Sequence, residues 1–200
     1  MISKGFSLVA ILCIVTYGYL MVVLHLKNRE IYNPIKHAVS DYGVGSHRKY
    51  FKLAGLVSTV RTIALILALF CWSYPFSFKI KGIELLVLAL IGFVGVAIFP
   101  TDLEGEKRTF TGTLHLLFAI LQFTALAIFI FNVTKSIGPI NPTIYFVCHL
   151  LEQLVKVGLY GLVAAMIFPP LKPYFGLLER LFLYSTNLYI LCLCLMIFLA

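Results

Sequence analysis

Residues 110–131 read FTGTLHLLFAILQFTALAIFIF. No Asp, Glu, Lys or Arg interrupts them. At about 1.5 Å of rise per residue, a helix of this length spans roughly 33 Å, enough to cross a hydrocarbon core about 30 Å thick. Five more predominantly apolar stretches accompany it, at about 6–26, 51–72, 82–99, 143–168 and 178–199. The reading is therefore all-α: an integral membrane bundle of about six transmembrane helices, forming one polytopic domain over residues 1–200. The first stretch begins soon after Lys4 but exceeds the length of a signal-peptide core, and no Ala-x-Ala site follows it, so it is read as a retained span.

Composition points the same way. Hydrophobic residues make up 61% of the chain and charged residues 12%, with a mean hydropathy of +0.99. Soluble domains run near half apolar and a quarter charged, and a soluble globule of this size could not hide the excess. Six spans of about 20 residues leave room for loops but not for a separate soluble domain.

The formal net charge is +8, from 16 Lys and Arg against 8 Asp and Glu. Most of the basic residues stand in loops beside apolar spans, where they set orientation and meet anionic lipid headgroups. Membrane lipids are thus the expected partners, and nucleic acid is not. With six spans, the termini and the second and fourth loops share one face, whose basic residues are Lys4, Lys79, Lys81 and Lys135. The odd loops carry Lys27, Arg29, Lys36, Arg48, Lys49, Lys52, Lys107, Arg108, Lys172 and Arg180. The bias predicts cytoplasmic odd loops and both termini outside. The five cysteines (Cys13, Cys71, Cys148, Cys192 and Cys194) fall within or at the ends of apolar stretches and read as packing residues. The sequence specifies neither a cofactor nor an oligomeric state.

The first loop, residues 27–50, is the longest. Asn33-Pro34 reads as a helix start, Ile35, Ala38, Val39 and Tyr42 form an apolar stripe, and Gly43 is placed to end the helix. The expectation is a short amphipathic helix with Lys36, His37, Ser40 and Asp41 on its polar face. A catalytic relay needs the imidazole between nucleophile and acid, which two turns of one helix rarely allow. Asp41 is therefore read as a loop anchor before it is read as a base.

Ionisable groups at membrane depth are costly and mark function or a satisfied network. Arg61 and Glu152 each lie about ten residues into their predicted spans, near the midplane, and are expected partners across the bundle. His149, Glu152, Gln153 and Lys156 share one helical face, which is expected to look inward. A structural network fixing helix register is preferred over a proton or ion path, because one short cluster does not make a continuous relay. Span parity brings a further set together at one mouth of the bundle: Asp41, Asp102, His115 and Glu179-Arg180. Gln122 continues the His115 face, and Tyr184 and Asn187 continue the Arg180 face inward.

These residues carry a resemblance. Ser40-Asp41-Tyr42-Gly43-Val44-Gly45, Phe99-Pro100-Thr101-Asp102, Gly112-Thr113-Leu114-His115 and Gly176-Leu177-Leu178-Glu179-Arg180 occur in that order. From about residue 33 to residue 190 the chain resembles the multi-pass membrane family catalogued as domain of unknown function nine-nine-eight. That resemblance implies a bundle of six or so helices and no particular activity. With the absence of a soluble domain and of an organelle-targeting signal, it also points to a prokaryotic plasma membrane. Ser40, Asp41, Asp102 and His115 bear a looser similarity to the alkaline-ceramidase and adiponectin-receptor hydrolases, which hold a metal with Ser, Asp and three His over seven spans. The last span here has no His, and there is one span fewer, which counts against a three-His zinc site.

Three functions are then in view. The first is binding of a lipid or small anionic ligand at the polar mouth. Arg180 would be a bidentate donor there, with His37, Ser40, Asp41, Asp102, His115 and Glu179 around it. The alternative is a metal-assisted lipid hydrolase, with Asp102, His115 and Glu179 as ligands and Asp41 or His37 as general base. The third is a small transporter or proton pathway using Arg61, Glu152 and Lys156, although neither internal repeats nor broken helices are evident.

Overall fold

The computed structural model describes residues 1–74, 76–102 and 107–200. Six long helices carry the fold: α1 (Ile2–Asn28), α2 (Arg48–Cys71), α3 (Lys79–Ile98), α4 (Phe110–Ile137), α5 (Pro142–Ile167) and α6 (Phe175–Leu199). All six are long and apolar enough to cross a membrane. The apolar stretches predict each helix, and the ends move outward where polar residues prolong it. The largest extension is in α4, which runs on through Asn132, Thr134, Lys135 and Ser136.

Two helix starts are capped by side chains. Thr109 Oγ1 accepts the Gly112 N–H at 3.1 Å, and Asn141 Oδ1 accepts the Ile144 N–H at 3.0 Å with Pro142 in the first turn. The oxygens satisfy amides that the helix itself leaves without acceptors.

Sequential helices pair as hairpins α1–α2, α3–α4 and α5–α6. Between helices in lipid there is no hydrophobic drive, so close approach of small residues sets the packing. A Cβ on Gly92 would lie 2.8 Å from the Phe118 carbonyl oxygen, and one on Gly158 would lie 2.5 Å from the Phe182 amide nitrogen. Gly158 and Gly161 therefore serve close packing of α5 on α6. Phe129, Phe182, Leu65, Leu69, Leu86, Ile130 and Leu193 fill the interior. Leu12, Leu56, Phe70, Ile91, Leu117, Val157 and Tyr160 face outward, as lipid contact requires.

The first loop departs from its expected form. Asn33 starts a turn, its Oδ1 accepting the Ile35 N–H at 2.9 Å, but the backbone extends at Ala38 (φ −62°, ψ 155°). A separate 3-10 turn, Val39–Gly43, then follows, and it ends with Gly43. The continuous amphipathic helix is absent because α6 takes the backbone groups it would use. Gly176 N–H donates to Lys36 O (3.2 Å) and Leu177 N–H to Ile35 O (2.9 Å), while Val39 N–H turns to the Glu179 carboxylate (2.6 Å).

Candidate functional site

Glu179 and Arg180 stand one after the other in the second turn of α6, both buried. Arg180 Nη1 donates to the carbonyls of Pro34 (2.8 Å), His37 (2.7 Å) and Gly176 (3.0 Å), and Nη2 donates to Tyr42 Oη (3.0 Å). Tyr42 Oη lies 3.2 Å from His25 Nδ1 on α1. Gly176 is required here, since a Cβ would strike the His37 carbonyl oxygen. The result is a clasp that fixes the first loop across the end of the bundle. Arg180 was expected to donate to a ligand; three backbone carbonyls and a phenol take up its two terminal nitrogens instead.

Asp102 follows α3 and is also bound into structure. Its Oδ2 accepts the Thr109 N–H at 2.8 Å and its Oδ1 the Thr109 hydroxyl at 2.7 Å. The Thr109 hydroxyl and then its amide hold this carboxyl below its ordinary value, with a further contribution from the Arg108 charge. Gly112 leaves the space Asp102 occupies, since a Cβ there would strike the carboxylate. His115 Nδ1 lies 2.8 Å from the Phe99 carbonyl. A carbonyl only accepts, so Nδ1 carries the proton and Nε2 is the acceptor nitrogen of the neutral ring.

A cavity of about 940 Å³ lies behind these residues, among all six helices. Ser40, Asp41, Asp102, His115 and Glu179 line it; of the set expected to converge, Asp41, Asp102, His115 and Glu179 are among them. Arg180 and His37 do not line it. His37 instead accepts the Asn33 N–H on Nδ1 at 2.8 Å, which leaves no Ser40–His37–Asp41 relay. The metal set is not gathered either: among the described residues, no three His, Cys, Asp or Glu side chains come close enough to share an ion.

The mouth carries four cations that the sequence reading treated only as a group of basic loop residues: Arg48, Lys52, Arg108 and Lys172, all exposed and all lining the cavity. One signal was available for two of them. Along α2 the small and polar residues Arg48, Lys52, Gly55, Ser58 and Arg61 recur every three or four positions in an otherwise apolar span, and all five line the cavity. Deeper walls are apolar, with Phe51, Leu116, Phe123, Leu162 and Leu183. Ile120 of α4 and Met166 of α5, 46% and 48% exposed, add to the apolar lining.

The expected Arg61–Glu152 pair does not form. Arg61 Nη1 donates to Asn187 Oδ1 on α6, and Arg61 Cζ lies 5.3 Å from the centre of the Phe93 ring. Glu152 pairs within α5, at 2.5 Å from Lys156 Nζ and 3.8 Å from His149 Nδ1. Nor does that face look wholly inward: Glu152 is buried and Lys156 half-buried, but His149 and Gln153 are exposed. Both residues are buried, at 2% and 4% exposure, but each is met by other groups.

The fold and this cavity define a multi-pass helical membrane protein with an interior polar site. The chain belongs to the family described as Protein of unknown function (DUF998), whose model matches residues 8–196. No curated protein and no solved structure matches it.

Proposed function

We propose that the protein binds an anionic ligand, foremost the headgroup of an anionic lipid, in the cavity between its helices. The observation that carries this reading is the union of four mouth cations with a largely apolar cavity of about 940 Å³. Cations concentrate an anion at the mouth, and the apolar walls suit an acyl chain. The Glu179–Arg180 clasp shapes the site by holding Ser40 and Asp41 at its rim.

The test is lipid retention by protein reconstituted in phosphatidylglycerol or phosphatidylcholine nanodiscs, read by native mass spectrometry. Wild type should retain phosphatidylglycerol, and the double variant Arg48→Gln/Lys52→Gln should retain several-fold less. Phosphatidylcholine retention should be low in both. Equal retention of the two lipids by wild type would overturn the reading.

The same reading puts the mouth on the cytoplasmic face, supported by the excess of basic residues in the odd loops. In intact cells a membrane-impermeant maleimide should then label Cys71, exposed at the opposite end of α2, and spare a thiol introduced by Ser46→Cys. Labelling of Ser46→Cys alone would invert the orientation.

A further inference from the structure

The inner end of the cavity holds polar chemistry that the mouth does not explain. Arg61 lies thirteen residues beyond Arg48 along α2, roughly 20 Å deeper into the bundle. It is 2% exposed and, among the described residues, makes no ion pair. A guanidinium remains charged at any physiological pH, so a cation is held at membrane depth with only neutral groups bonded to it.

The bonds it makes leave one edge of the fork open. Nη1 is used by Asn187; among the described residues, Nη2 makes only a 3.4 Å contact with Thr62 Oγ1, and buried Nε has no partner. Nε and Nη2 lie side by side, the edge on which a guanidinium receives two oxygens of one oxyanion. Two more buried polar atoms in the cavity lining also lack hydrogen-bond partners, Gln122 Oε1 and Thr186 Oγ1. Gln122 is 6% exposed and Thr186 is 2% exposed. Thr186 is next to Asn187 on α6, and Gln122 packs against Gly92, the neighbour of the Phe93 under Arg61. Orphaned buried polar groups are rare in folded proteins, and two of these three, Arg61 Nε and the Thr186 hydroxyl, are donors of the kind an anion satisfies.

We propose that Arg61, with Gln122, Thr186 and Asn187, forms an inner oxyanion subsite that receives a carboxylate or phosphate group of the ligand. The Nε–Nη2 edge binds two oxygens of the anion, the Thr186 hydroxyl and the Gln122 amide donate to it, and its charge offsets that of Arg61. This subsite rests on the reading that the cavity binds an anion. It adds that the charged group travels past the mouth. Two sources fit the chemistry: a long-chain carboxylate entering from the bilayer, its tail left among the lipids, or a water-borne phosphate entering past Arg48 and Lys52.

The experiment measures binding of palmitate and of inorganic phosphate by purified, delipidated protein in detergent. Arg61→Gln, Arg61→Lys, Gln122→Leu, Thr186→Val and the mouth double variant Arg48→Gln/Lys52→Gln are compared with wild type. Expected are at least a tenfold loss in Arg61→Gln, partial recovery in Arg61→Lys, and a several-fold loss in Gln122→Leu and Thr186→Val without a fall in Tm. A purely structural role would not produce that last result, because neither atom bonds to the protein. Palmitate sensitivity alone assigns the lipid source, and phosphate sensitivity alone the aqueous one. If the Arg61, Gln122 and Thr186 variants bind like wild type while the mouth variant is weakened, the inner subsite fails and the anion-binding reading stands. If wild type binds neither probe, the subsite fails, and the nanodisc retention of phosphatidylglycerol separately decides the broader reading. Should Arg61→Gln not fold, Gln122→Leu and Thr186→Val decide alone: undiminished binding in both overturns the subsite.

Discussion

Glu179 and Arg180 act on the backbone of the first loop. The carboxylate collects one amide, and the guanidinium bonds three carbonyls through Nη1 and the Tyr42 hydroxyl through Nη2, two separate nitrogens that one lysine ammonium cannot replace. Arg180→Lys should therefore loosen residues 35–43, seen as faster amide exchange there, at a cost of about 2 kcal/mol. Unchanged exchange would mean that the loop holds without the clasp. Asp102 makes a pH prediction. Its folded-state carboxyl titrates below the ordinary value, so its contribution to stability is fully present above about pH 4 and fades as pH falls through the depressed folded-state value. Amide protection factors at the start of α4 should fall on acidification in wild type, and Asp102→Asn should flatten that fall. An equal fall in both would assign it to another group.

Two Asn-Pro pairs show how far local signals reach along one element. At Asn141-Pro142 the cap launches a 26-residue helix, whereas at Asn33-Pro34 the same chemistry yields a single turn. The difference lies in the neighbours, since the Ile35 and Lys36 carbonyls are taken by the start of α6. Helix contacts make their own predictions. Gly158→Ala would push a methyl group into the Phe182 backbone and should destabilise the α5–α6 pair by roughly 1–3 kcal/mol, read as a lowered Tm in detergent. An unchanged Tm would show that the two helices slide apart freely. Within α5, Lys156→Met leaves the buried Glu152 carboxylate without its closest cation and should cost roughly 3 kcal/mol. The double variant Glu152→Leu/Lys156→Met should recover most of that loss. No recovery would mean that Lys156 acts through its packing on Phe131, whose ring centre lies 5.2 Å from Nζ.

Across the whole molecule, the cavity joins two regions of different electrostatic character. The mouth cations are solvent-exposed, so salt should screen them, whereas Arg61 is buried and should be screened far less. Raising ionic strength should weaken anion binding by wild type until it approaches that of Arg48→Gln/Lys52→Gln. Salt-independent binding would remove the mouth from the mechanism.

The number of helices, their approximate ends and the gathering of the odd loops at one mouth are all legible in the residue order. Hydropathy and charge act locally and sum along the chain, and span parity is arithmetic. The same reading located Asp41, Asp102, His115 and Glu179 at that mouth and Arg61 deep in the bundle, but it assigned partners incorrectly. Arg61 meets Asn187 instead of Glu152, and Arg180 meets loop carbonyls that the span pattern did not point to. Partners depend on which helix faces meet and on which backbone groups a neighbour leaves unsatisfied. Those are lateral properties of the packed bundle, and no periodicity within one span encodes them.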